Sequence, residues 1–224
     1  MFNRIGLFGL LFLYQSLAWS DLRLRVVDAG GQPVQHAVVS LAADLFTPIH
    51  AEQAGLKAVE SSLIMDQVDK QFSPHVLVVK AGQHVVFPNS DQVRHHVYSF
   101  SKPNDFEIKL YSGNQAEPVR FKHPGIVVLG CNIHDQMVGY LYITDSDIAK
   151  VSDAQGLVVF DGQVNAKQQE LEVTLWHSRL SSSKLERVKQ TLGQQKTSDG
   201  IWQIQLDLLP EVTKSSRKFK PRFQ

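Results

Sequence analysis

The sequence predicts an all-β fold of the sandwich or barrel type, and three observations carry that prediction. Short apolar runs rich in Val, Ile, Phe and Tyr recur between turn signals from Leu63 to Ile143, the spacing expected of sandwiches and barrels. Both ends of the chain alternate apolar and polar residues with the period of a strand. Leu22, Leu24 and Val26 alternate with Arg23 and Arg25, and Leu171, Val173 and Leu175 with Glu172 and Thr174. No long segment repeats with a helical period. Over 183–195 a helix competes with a strand at Leu185–Leu192, and the strand is the better reading.

The elements follow in chain order. Met1–Arg4 carries one positive charge, Ile5–Tyr14 is apolar, and Ala18-Trp19-Ser20 supplies a small-residue end. Together these read as an export signal cleaved after Ser20. The apolar run is short for a bilayer span, and no later segment is apolar enough, so no stable span is expected after cleavage. Leu22–Leu41 then reads as strand, turn (Ala29–Pro33) and strand (Ala37–Leu41). Residues 42–61 are weakly patterned and read as a linker or irregular loop. Strands are expected at His75–Lys80, His84–Phe87, His96–Phe100, Phe106–Tyr111, Ile126–Cys131 and Gly139–Ile143. After a turn at Asp153–Gly156 come Leu157–Phe160, Leu171–Leu175, Leu185–Leu192 and Ile201–Leu208. In the last run Trp202, Ile204, Leu206 and Leu208 share a face. The closing stretch from Thr213 is basic and reads as a solvated tail.

Charge narrows the function. The chain has 23 basic and 22 acidic residues, and losing Arg4 with the leader levels them. A nucleic-acid binder needs a basic footprint, which is absent. The single cysteine, Cys131, cannot close an internal disulfide. In an oxidising compartment such a thiol is buried and inert, paired with another chain, or bound to a metal.

The residues around Cys131 favour the metal. Gly130-Cys131-Asn132-Ile133-His134-Asp135-Gln136-Met137 holds a thiolate, an imidazole and a thioether at C-x-x-H-x-x-M spacing, with Arg94-His95-His96-Val97 upstream. Two His and one Cys in a trigonal plane, with a weak axial Met, form a blue-copper site. Soft sulfur ligands favour Cu(I), and imidazole suits both oxidation states. The expected ligands of one mononuclear type 1 copper are therefore His95, Cys131, His134 and Met137. His95 and His96 point to opposite faces of a strand, so one of them can serve, and His95 is preferred. Met137 argues against structural zinc, which takes four N or S ligands without a thioether. His36, His50, His75, His84, His123 and His177 lack metal-ligand spacing with Cys131 and read as surface or hydrogen-bonded residues. No nucleophile elbow or paired carboxylates appear, so an electron carrier is expected rather than an enzyme.

The stretch His75–Ile143 resembles the cupredoxins, the small blue-copper proteins. Val79-Lys80-Ala81-Gly82, Val86-Phe87-Pro88-Asn89, His95-x-Val97 and Pro124-Gly125 leading to Cys131 carry the likeness. The ligand loop has the short spacing of amicyanin rather than plastocyanin. His96 departs from the pattern, since cupredoxins usually place an Asn there to brace the Cys loop. The whole chain is similar to a group labelled methylamine-utilisation proteins, a label that does not establish methylamine chemistry. Its flanks, Gly31-Gln32-Pro33-Val34 with Ala37–Val39, and Asp153–Gly156, resemble the two halves of a carboxypeptidase-regulatory-like β-sandwich. The resemblance implies a Greek-key cupredoxin sandwich (62–146) inserted in a split sandwich (21–61 and 147–210), between a leader (1–20) and a basic tail (211–224). It further implies a periplasmic protein that carries single electrons between redox partners. A copper carrier or sensor, and a metal-free interaction module, are the competing functions.

Overall fold

The structure is a computed structural model that describes residues 21–48, 62–114, 116–145, 148–164, 171–193 and 197–211. The leader, residues 49–61 and nearly all of the tail lie outside the described residues. The chain is all-β: the described residues form strands, turns and one 3-10 turn at Ala43–Leu45.

Strands from the two ends of the chain build one core. Leu22–Asp28 lies between Leu157–Phe160 and Trp202–Leu206, antiparallel to the first and parallel to the second. A second sheet is ordered Ile148–Val151, Val38–Leu41, Leu171–Trp176, Val188–Leu192. Alternation decides which side chains meet. Leu22, Leu24 and Val26 turn inward against Val39, Leu41, Phe160, Val173, Leu175, Ile204 and Leu206. Arg23 faces water and Arg25 is half-buried.

The residues between form a second core. A five-stranded sheet is ordered Phe106–Tyr111, His95–Ser99, Gly125–Gly130, Val138–Thr144, Val76–Lys80. A three-stranded sheet is ordered Val119–Arg120, His84–Val86, Leu63–Ile64. Met65, Phe87, Val97, Phe121, Leu129 and Leu141 fill the space they enclose. A hairpin, Asp66–Val68 with Gln71–Ser73, crosses this unit. Its Phe72 packs on Gly139, where an added Cβ would lie 2.7 Å from the Phe72 Cβ.

The two cores touch through a third cluster. Trp176 and Val38 of the outer sheets meet Val76, Tyr140 and Tyr142 of the inner one. The Ser40 and Tyr142 hydroxyls are hydrogen-bonded at 3.1 Å across the same seam.

Three sequence expectations need correction. The segment read as linker or loop contains a strand, Phe46–Pro48, paired with Gly162–Val164. Three residues are too few to show alternation, and the partner strand is remote in sequence. The strand expected from His96 starts at His95, and the one expected from Leu185 starts at Val188. The Ser181–Glu186 stretch lacks the apolar alternation that marks a strand.

Candidate metal centre

One tight connection delivers three of the four expected ligands. Gly125–Gly130 and Val138–Thr144 pair antiparallel and close at Gly130 opposite Val138. The loop between them places Cys131 at its start, His134 in the middle and Met137 at its end. The Met137 N–H donates to the His134 carbonyl at 2.8 Å, which turns the loop back. Gly130 is required beside it, because a Cβ there would lie 2.9 Å from the Tyr98 ring. His95 opens the strand His95–Ser99. Period-two geometry turns His95, Val97 and Ser99 inward and His96 and Tyr98 outward.

Folding brings three ligand atoms together. His95 Nδ1 lies 3.8 Å from Cys131 Sγ, and His134 Nδ1 lies 3.7 Å from it. All three atoms fall within 4.8 Å of one another, and among the described residues no other group of three His, Cys, Asp or Glu converges in this way. The rings of His95 and His134 stand 5.0 Å apart, edge to face. His95 is 0% exposed and Cys131 is buried, whereas His134 is half-buried and reaches the surface. Beside His134 runs a groove lined by Asp69, Lys70, Gln71, Asp135 and Gln136. Met137 is 1% exposed in the same core as Cys131.

The separations fit a metal. With bond lengths of about 2.3 Å to thiolate and about 2.0–2.1 Å to imidazole, a trigonal ion holds its S and N donors about 3.8 Å apart. A tetrahedral ion holds them about 3.6 Å apart. Both sulfur–nitrogen separations fall at the span of donors around one small ion, and the donor set of one thiolate and two imidazoles suits copper.

Sequence reasoning missed the residues that support this cluster. The Asp91 carboxylate accepts a 2.7 Å hydrogen bond from His95 Nε2. It also accepts from the Asp69 and Lys70 N–H groups, at 2.7 and 2.9 Å. Partial burial works against ionisation of Asp91, but the Lys70, His95 and Asp69 donors outweigh it and hold the carboxyl below its ordinary pKa. Asn89 shapes the loop that carries Asp91. Its Nδ2 donates to the Val93 and Tyr111 carbonyls, and its Oδ1 accepts from the Asp91 N–H. Tyr111 pairs with His95 across the sheet and donates its hydroxyl proton to the Phe87 carbonyl. Burial pushes its phenol up to about 12, so it stays a donor. A carboxylate four residues before a histidine in a turn-rich stretch was the one available signal for Asp91.

His96 takes no part in the cluster. It faces outward, and its Nε2 pairs with Glu107 at 2.9 Å. The other described histidines divide. His36 and His75 have ring centroids 4.9 Å apart at the seam between the cores, with buried His177 nearby. His84 and His123 lie apart from both groups.

No family model matches the chain, and no curated protein matches it. Solved cupredoxin structures are similar to part of it. The Cu-containing nitrite reductase from Thermus scotoductus is 24% identical, covering 38% of this chain and 22% of that one, with a TM-score of 0.36. The chain thus matches about a fifth of that enzyme's length. A reduced amicyanin mutant is 17% identical over 47% of this chain and 98% of its own, with a TM-score of 0.35. A purple cupredoxin from Nitrosopumilus maritimus is 20% identical over 36% and 96%, with a TM-score of 0.32.

Proposed function

We propose that this chain is an exported mononuclear type 1 copper protein that carries single electrons between redox partners. The observation that supports it best is the convergence of His95 Nδ1, Cys131 Sγ and His134 Nδ1 within 4.8 Å of one another. Copper, when bound, supplies a one-electron couple. The chain's residues do the rest. Cys131 sheds its proton to become the thiolate ligand, which metal binding requires. His95 binds from the dry side, where no water competes. Met137, buried at the loop's end, would be the fourth, weakly held ligand and would tune the potential. His134 reaches the surface, so a partner docking there stands one imidazole ring from the metal.

In this reading residues 62–146 are the copper domain. Residues 21–61 and 147–210 form the flanking sandwich that carries it, 1–20 are the cleaved leader, and the protein works in the periplasm. The test is Cu(II) titration of the chain followed by visible and EPR spectroscopy, with Cys131→Ser alongside. An intense thiolate charge-transfer band and narrow copper hyperfine splitting, both lost in the variant, are expected. A colourless adduct indifferent to the substitution sinks the type 1 assignment. A coloured site with very slow electron self-exchange, which surrenders Cu(I) to a chelator, points instead to copper carriage.

A further inference from the structure

We propose that Asp91 is a positioning residue. Its carboxylate presets His95 with a bare Nδ1 aimed at Cys131, and ties that ligand to the hairpin beside His134. The consequence for copper rests on the function proposed above; the presetting itself belongs to the metal-free chain.

A neutral imidazole has one N–H and one lone pair, and the partner of one nitrogen decides the state of the other. His95 is fully buried, so water cannot supply that partner. Asp91 Oδ2 stands 2.7 Å from His95 Nε2. A carboxylate only accepts, so Nε2 carries a proton, and in the neutral ring the lone pair then falls on Nδ1, the nitrogen 3.8 Å from Cys131 Sγ. Two contacts, one at each ring nitrogen, fix both tautomer and orientation.

Asp91 is itself over-determined. Its Oδ2 also accepts from Lys70 N–H at 2.9 Å, and its Oδ1 from Asp69 N–H at 2.7 Å. Asp69 and Lys70 form the hairpin tip with φ of 53° and 59°, a left-handed pair that non-glycine residues adopt reluctantly. Asp91 closes across their two N–H groups. From behind, its own N–H donates to Asn89 Oδ1 at 3.0 Å. The same hairpin tip lines the groove beside His134. One carboxylate thus joins the buried histidine to the segment flanking the exposed one. Such outer partners raise the basicity of the ligand, which favours Cu(II) over Cu(I), and losing them weakens metal affinity by about 10–100-fold.

The test compares the full chain with Asp91→Ala and Asp91→Asn. In the metal-free state, imidazole 15N shifts should give a single Nε2–H tautomer for His95 in the parent chain and a mixture in Asp91→Ala. The Asp69 and Lys70 amides should exchange with solvent at least about tenfold faster in that variant. Asp91→Asn keeps an acceptor for His95 but not for both backbone groups. It should hold the tautomer while freeing the Asp69 amide, and it decides the matter if Asp91→Ala fails to fold. In copper-loaded protein, Asp91→Ala should lower Cu(II) affinity relative to Cu(I) about tenfold, a rise of about 59 mV. A His95 tautomer indifferent to both substitutions overturns the proposal, and so does an unchanged potential in a coloured variant. A parent chain without a thiolate band removes the copper reading alone, because the tautomer is read without metal.

Discussion

The chain gathers histidines in two places and uses them in opposite ways. At the mouth of the inner core, His95 and His134 aim their Nδ1 atoms at one sulfur. At the seam between the cores, His75 and His177 turn to the backbone instead, with the His36 ring 4.9 Å from that of His75. His177 Nδ1 accepts from the Arg179 N–H at 3.1 Å, and its other nitrogen donates to the Gln35 carbonyl. His75 donates to the Val138 carbonyl. Arg179 and Lys184 stand close enough to repel a cation. Three rings in one neighbourhood are therefore not a metal site. What distinguishes the first cluster is a soft sulfur ligand that both rings face.

The sharpest way to break this contrast is to exchange the losses. His95→Ala should weaken copper binding at least about a hundredfold, more than a lost outer partner would. His75→Ala should leave it unchanged, as measured by competition with a chromophoric Cu(I) chelator. Equal effects would mean that copper is held at the seam as well.

Stability should respond the other way round. Trp176 is fully buried where the cores meet, so Trp176→Ala should cost about 3–5 kcal/mol in urea unfolding. Its copper spectrum should be unaltered. A displaced charge-transfer band would show that the seam supports the metal loop through Tyr140.

Acid should find the seam too. Burial, then Arg179, push His177 down to about 4, and burial lowers His75 and His36 as well. The folded pKa lies below the unfolded value of about 6.5, so the unfolded chain binds the extra proton. Stability from this residue is complete above about pH 6.5 and falls as pH drops towards 4. By pH 5 the loss from His177 alone reaches about 2 kcal/mol, and His177→Gln should flatten that slope in denaturation measured at several pH values. A parent chain equally stable at pH 5 and 7.5 would contradict the buried, neutral state of the ring.

The smallest effect belongs to His96. Its Glu107 partner is 59% exposed, so Glu107→Gln should change stability by less than about 1 kcal/mol and leave copper spectra untouched.

The sequence displayed the strands and ligand types because both are local. Alternation at Leu22–Val26 and Leu171–Leu175 identifies inward faces without knowledge of the partners. The seven-residue loop from Cys131 to Met137 announces its chemistry by spacing, and strand parity separates His95 from His96. Asp91, Asn89 and the seam histidines stayed hidden because their roles depend on distant neighbours. Nothing near Asp91 reveals that Asp69 and Lys70 arrive at its carboxylate from another hairpin. In the sequence His177 and His75 read as surface or hydrogen-bonded residues, and only the closure of Val38, Trp176 and Tyr140 over the seam selects the second. The strand Phe46–Pro48 was missed because its partner, Gly162–Val164, lies far along the chain.

The parallel pairing of Leu22–Asp28 with Trp202–Leu206 carries a consequence for synthesis. The first strand of the outer core cannot acquire all its neighbours until Trp202–Leu206 has been made. Every inner strand, from Leu63 to Thr144, is complete well before that. Growing from its N-terminus, the polypeptide can assemble the Cys131–Met137 loop while Leu22, Leu24 and Val26 still lack both flanking strands. The apolar edge left waiting is the stretch that a chaperone would have to shield, and chains shortened at the C-terminus should aggregate through it.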